Sequence, residues 1–228
     1  MKPQIPLLAF VLITSGAFPQ DAKPCGDATT FIDQRDGNVY HMIQIGDQCW
    51  MSENLKWMPE VFQPSQFSES EARYYVYWYF DGDVERAKNN ENYMNYGVLY
   101  NWPAALQACP TGWRLPMDSE WQELIGYLGG TALAGGKLKN LRMDPEPHPR
   151  WAFPNEGATD ESGFSALPAG IVYNDGHFGN RGNQSSFWSS TPYVEGQAWS
   201  QNLYGSGKLA FRHAFPWQDG FSVRCVRE

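Results

Sequence analysis

Gly112-Trp113-Arg114-Leu115-Pro116-Met117-Asp118-Ser119-Glu120-Trp121 is the stretch on which the fold class turns. Gly112 marks a turn, Trp113-Arg114-Leu115 reads as the end of a strand, and Pro116 stands just before a helix start. The helix is expected from about Asp118 to Leu128, because Trp121, Leu124, Ile125 and Leu128 fall at i, i+3, i+4 and i+7 on one apolar face. Gly129-Gly130 stops it. Arg114 and Glu120 have two readings, an ion pair beside a pocket or a brace that fixes the helix entry; the brace is preferred, because helix starts need such groups.

On the N-terminal side of this stretch, Pro103 to Ala108 reads as a second, short helix with Pro in its first turn. Earlier still, Val39-Tyr40-His41-Met42-Ile43-Gln44-Ile45 alternates as a strand and Cys49-Trp50-Met51 starts its hairpin partner. Tyr74 to Phe80 is a dense aromatic segment expected as a strand, and Asp81 to Asn95 an Asn-rich loop. Towards the C-terminus, strands are expected at Ile171–Tyr173, Ser186–Trp188, Ala198–Leu203, Leu209–Phe215 and Phe221–Val226, with Gln218-Asp219-Gly220 as the last hairpin turn. No helix is expected beyond Arg150. The order gives an α+β fold, short helices packed on antiparallel sheet with a long, loop-rich C-terminal half.

Composition bounds the function. The 228 residues carry 17 Lys+Arg against 25 Asp+Glu, a net charge of −8, which argues against a nucleic-acid partner. A mean hydropathy of −0.51 and a single apolar run argue against a multispan membrane protein. That run, Leu7 to Ile13, follows Lys2 and precedes Ser15-Gly16-Ala17, so residues 1–17 read as a signal peptide. The chain is thus expected to be secreted or extracytoplasmic, not membrane-spanning after cleavage, with a leader or linker at 18–35 and one domain at 36–228. Export makes the four cysteines disulfide candidates, and there is no CxxC to suggest zinc or redox chemistry. Three pairings are possible and arithmetic does not choose among them. Cys25–Cys49 with Cys109–Cys225 is the expectation: one bond would tie down the N-terminal arm, the other the last strand.

Eight segments in order carry a family resemblance: 45–55 (Ile-Gly-Asp-Gln-Cys-Trp-Met-Ser-Glu-Asn-Leu), 96–102 (Tyr-Gly-Val-Leu-Tyr-Asn-Trp), 109–116, Glu120-Trp121, 134–139 (Ala-Gly-Gly-Lys-Leu-Lys), 161–168 (Glu-Ser-Gly-Phe-Ser-Ala-Leu-Pro), 187–191 (Phe-Trp-Ser-Ser-Thr) and 220–227 (Gly-Phe-Ser-Val-Arg-Cys-Val-Arg). Together they resemble the Fibrobacter succinogenes major paralogous domain family. The resemblance implies an extracytoplasmic domain with no established activity. Gly112–Pro116 with Glu120-Trp121 is more distantly similar to formylglycine-generating-type domains and, through them, to the C-type-lectin-like fold. The family's usual Thr is replaced by Met117, which cannot complete a capping box with Glu120, so Asp118 is expected to cap the helix one residue later. The Glu-Pro-Asn and Trp-Asn-Asp sugar motifs of true lectins are missing, so calcium-dependent sugar binding is not implied.

Catalytic signatures are scarce: there is no HExxH and no GxSxG, and Gly135-Gly136-Lys137 departs from a P-loop on both sides. Asp81 and Asp83, and Asn155, Asp160 and Glu161, are oxygen-bearing candidates for calcium, although no Gly or closing Glu completes an EF-hand pattern around Asp81. Tyr75, Tyr77, Trp78 and Tyr79, with Trp199 and Trp217, are candidates to stack on a ligand. The reading is a non-catalytic binding or adhesion module for an extracellular polysaccharide or a surface protein. Its rivals are an oxidase with free thiols at Cys109 and Cys225, and an envelope component with no specific ligand and no exposed aromatic patch.

Overall fold

The structure, a computed structural model, describes residues 24–228. The expected signal peptide and the first part of the expected linker lie outside the described residues. From Pro24 on, the expected linker belongs to the domain: Cys25 is bonded to Cys49, and Thr30–Ile32 (β1) pairs antiparallel with Val39–Ile45 (β2).

Gln48–Met51 (β3) completes the first hairpin. Tyr74–Tyr75 (β4) pairs with Leu99–Tyr100 (β5), and between them lie Val84–Lys88 (α1) and Glu91–Tyr96 (α2). Trp102–Ala108 (α3), Trp113–Arg114 (β6), Asp118–Tyr127 (α4) and Thr131–Leu138 (α5) follow. Residues 139–170 carry isolated bridges but neither helix nor strand, the loop-rich half expected. Ile171–Val172 (β7) and Phe178–Gly179 (β8) form a ribbon, and Gln184–Val194 (β9), Gln197–Tyr204 (β10) and Ala210–Pro216 (β11) form a sheet of order β11-β10-β9. Val226–Arg227 (β12) then inserts between β3 and β6, so a sheet of order β1-β2-β3-β12-β6 joins both ends of the described chain. The architecture is α+β with antiparallel sheets.

Three helices escaped the sequence reading. α1 and α2 are too short for an apolar period and are set by caps: Asp83 accepts the Arg86 N–H (3.1 Å) and Asn90 the Asn92 N–H (2.8 Å). α5 is hidden by Gly135-Gly136, poor helix formers. Their lack of a side chain is a packing requirement, because a Cβ on Gly135 would sit 2.2 Å from the Leu209 carbonyl oxygen and one on Gly136 2.2 Å from that of Gly157. The final hairpin also differs. Gly220 bridges Val172 and Phe221 bridges Tyr100, so the chain leaves β11 and crosses the molecule instead of pairing back onto it.

At the deciding stretch, Met117 rather than Asp118 occupies the cap position. Glu120 accepts the Met117 N–H (2.8 Å) and grips Arg114 through both oxygens (2.5 Å each), so the brace reading of that pair describes its contacts. Asp118 is already helical, and its carboxylate binds Arg212 (2.7 and 2.8 Å). In the core, Trp50, Trp121, Trp151 and Trp188 are fully buried. Each indole N–H finds an acceptor: the Gln48 side chain for Trp50, and the carbonyls of Trp188, Ala166 and Tyr100 for the others. Arg224 is also fully buried and has no carboxylate partner among the described residues; the Asn54 amide oxygen and the carbonyls of Met51, Phe164 and Ser165 accept from it. Burial lowers its pKa to about 9. Both disulfides have the expected pairing and close spans of 24 and 116 residues; chain entropy puts their stabilisation at about 3 and 5 kcal/mol.

Candidate functional site

The aromatic segment does not continue as a strand. β4 ends at Tyr75, Val76 is buried, and the backbone turns so that Tyr79 N–H donates to the Val76 carbonyl (3.0 Å). Trp78 sits in this turn with φ +59°, in the left-handed region that a bulky L-residue avoids at a cost of about 1–2 kcal/mol. Trp78 is 62% exposed and Phe80 50%.

The two rings are not isolated. Phe178 of β8 lies beneath them, with centroids 6.4 Å from Trp78, 5.6 Å from Phe80 and 5.1 Å from Tyr77. Trp78 meets Phe80 edge-on at 5.6 Å and lies nearly parallel to Tyr77 at 6.3 Å. The platform is fixed from behind. A Cβ on Gly170 would sit 2.8 Å from the Tyr77 ring, so that ring lies against bare backbone. Asn92 donates to the Tyr77 carbonyl (2.9 Å) and accepts from Arg181, whose guanidinium is 5.4 Å from the Tyr77 ring centroid. Tyr79 points its hydroxyl at the Asp83 carbonyl (2.7 Å) and ties the platform to the start of α1.

The structure therefore gathers Tyr77, Trp78 and Tyr79 but separates them from the other aromatic candidates. Tyr75 reaches no solvent at all, so it is core; burial raises its phenol pKa. The alternation expected for Tyr74–Phe80 fails because the strand stops after two residues. Trp199 has one face covered by the Arg212 guanidinium, 3.3 Å above the ring, and Tyr193 against its edge at 4.5 Å. Trp217 stacks on Trp102 at 4.8 Å and 15°, half-buried at the start of α3. Sequence reading missed Phe178 and Arg181, which lie together at and just after β8, far along the chain from Trp78; in the sequence alone, each is an ordinary residue.

The candidate carboxylates are engaged elsewhere. Asp81 pairs with Arg86 (3.0 Å), and Asp83 caps α1. Glu161 pairs with Lys137 (2.6 Å). Asp160 accepts both the Ser165 N–H (2.9 Å) and O–H (2.6 Å), holding Ser165 at φ +53°. Burial raises the Asp160 carboxyl pKa. Asn155 donates to the Asn140 carbonyl (2.9 Å), while its buried Oδ1 finds no hydrogen-bond partner among the described residues. Among the described residues no three His, Cys, Asp or Glu side chains gather as a metal site. Cys109 and Cys225, which the oxidase alternative needs as free thiols, are bonded to each other.

The chain belongs to the Fibrobacter succinogenes major domain family, whose model matches residues 43–227. No curated protein matches the chain, and neither does any solved structure.

Proposed function

We propose, from this family membership and the platform together, that the protein is an extracytoplasmic, non-catalytic module that binds polysaccharide through Tyr77, Trp78 and Phe80. The observation that carries the reading is Trp78: a large side chain left mostly exposed on a backbone in the left-handed region, a strain that gathers at binding sites. A polysaccharide fits better than a protein partner. Two rings about half exposed offer on the order of 250 Å², against about 800 Å² per partner in a stable protein interface. Sugar rings need only a stacking face with polar groups beside it, and Asn92 and Arg181 stand there. The platform also argues against a purely structural envelope component, which needs no exposed rings.

Two disulfides support an oxidising, extracytoplasmic setting. Among the described residues no helix is long and apolar enough to cross a membrane. A C-type-lectin-like arrangement is the finer fold reading, supported by the Gly112–Pro116 motif and by the first and last described strands sharing one sheet.

The test is retention on insoluble polysaccharides such as cellulose, chitin and cell-wall preparations. The wild-type protein is expected to be retained on at least one, and Trp78→Ala to be lost from it with an unchanged melting temperature. Trp217→Ala is expected to bind as wild type. Retention that survives Trp78→Ala would remove the platform from the reading.

A further inference from the structure

Arg181 belongs to two surfaces. On one side it lies over the Tyr77 ring; on the other it lines a cleft of about 130 Å³ with Asp144, His148, Arg150, Trp151, Ala152 and Gly182. That is room for roughly four waters, the scale of one carboxylate or sulfate group with its nearest hydration. Arg142 stands close by. Tyr96 borders this region: its hydroxyl accepts the Arg150 backbone N–H (3.3 Å), burial raises its phenol pKa, and the charges of Arg181, Arg150 and Arg142 oppose that rise. The same hydroxyl is 2.7 Å from His148 Nδ1.

The opposing carboxylates are fewer. Asp144 pairs with Arg150, and Glu146 lies 3.9 Å from Arg142. Arg181 has no carboxylate partner among the described residues and is held by the Asn92 amide instead. The buried Nε of Arg150 finds no hydrogen-bond partner among the described residues. A protein of net charge −8 thus presents a local excess of cations beside its exposed rings. Guanidinium forks match the oxygens of carboxylates and sulfates.

We infer that the polysaccharide is acidic: its sugar rings stack on Trp78 and Phe80 while a carboxylate or sulfate substituent enters the cleft between Arg181 and Arg150. This rests on the platform reading and narrows it. The acidic character of the whole protein makes non-specific adhesion to a polyanion unfavourable, so retention of one reports a local site.

The experiment is affinity electrophoresis of the full-length protein through gels containing polygalacturonate, dextran sulfate or neutral hydroxyethylcellulose. Retardation is expected in at least one anionic gel, weakening as salt is raised. Retardation by polygalacturonate alone assigns a carboxylate, by dextran sulfate alone a sulfate, and by both a site for either oxyanion. Arg181→Gln, at an exposed position, is expected to weaken anionic binding about tenfold, the scale of one charge-assisted contact, with an unchanged melting temperature. Arg181→Lys is expected to recover only part of it. Retardation by the neutral polymer alone, or anionic retardation untouched by Arg181→Gln, overturns the inference and leaves the platform reading standing. Retardation in none of the gels, with no retention on insoluble polymers either, removes both.

Discussion

Asp219 makes stability depend on pH in a direction opposite to that of most acids. It is 3% exposed in the turn after β11, and one carboxylate oxygen accepts the Asn174 N–H at 2.8 Å. Burial outweighs that bond and, with the Asp175 charge nearby, raises its pKa from 3.8 to about 7. An unfolded Asp loses its proton near pH 4. Between pH 4 and 7 the folded chain therefore holds a proton that the unfolded chain has released, and folding stability falls as pH rises through that window. This contribution is fully present below pH 4 and gone above about pH 7. Three pH units at about 1.4 kcal/mol each set an upper figure near 4 kcal/mol. Asp219→Asn keeps an oxygen for Asn174 and cannot ionise. The variant is expected to match wild type at pH 4 and to exceed it by a few kcal/mol at pH 8, about 5–15 °C in melting temperature for a domain of this size. Urea unfolding of the oxidised protein, followed by Trp fluorescence at pH 4, 5.5 and 8, measures it. Asp160, also raised by burial, leaves a shallower slope in the variant. Parallel pH curves for the two proteins, or a variant less stable at pH 8, would refute the argument.

Two further substitutions probe the scaffold. Gly135→Ala puts a Cβ 2.2 Å from the Leu209 carbonyl oxygen, and the forced shift is expected to cost about 1–3 kcal/mol in denaturant unfolding despite the better helix propensity of Ala. Lys139→Met strips the donor from three carbonyls, those of Glu156, Tyr204 and Gly207, which its ammonium reaches at 2.8–3.0 Å; a loss of at least 3 kcal/mol at pH 6 is expected from the same measurement.

How much was legible in the sequence follows from how local each feature is. β2, α3 and α4 announce themselves through alternation, a Pro at the helix start and an i, i+3, i+4, i+7 face, and they form where read. Both disulfides were expected correctly, although nothing in the residues excluded the other pairings. The aromatic run misled because its composition favours a strand while its backbone is set by contacts from afar: the Asn92 amide on the Tyr77 carbonyl and the bare backbone of Gly170 under the Tyr77 ring. The acidic candidates are ambiguous for a related reason. Oxygen-rich loops look alike whether the oxygens face a metal, an arginine nearby in the chain as for Asp81 and Asp83, or a lysine on a distant helix as for Glu161.

The segments that carry the family resemblance are spent on the scaffold. Arg224 pins Asn54, Phe164 and Ser165 together. Glu120 braces Arg114, Gly135 and Gly136 admit neighbouring backbone, and Cys109 and Cys225 close the longer loop. Trp78, Phe80, Asn92, Arg150, Phe178 and Arg181 all lie between those segments. Membership of the family therefore speaks for the frame and not for what the frame holds. The frame needs buried, covalently tied residues whose loss unfolds the chain; the platform needs exposed residues whose loss leaves it folded. The pairing of stability with retention in each variant separates the two: Gly135→Ala is expected to lower stability, whereas Trp78→Ala and Arg181→Gln lower binding alone.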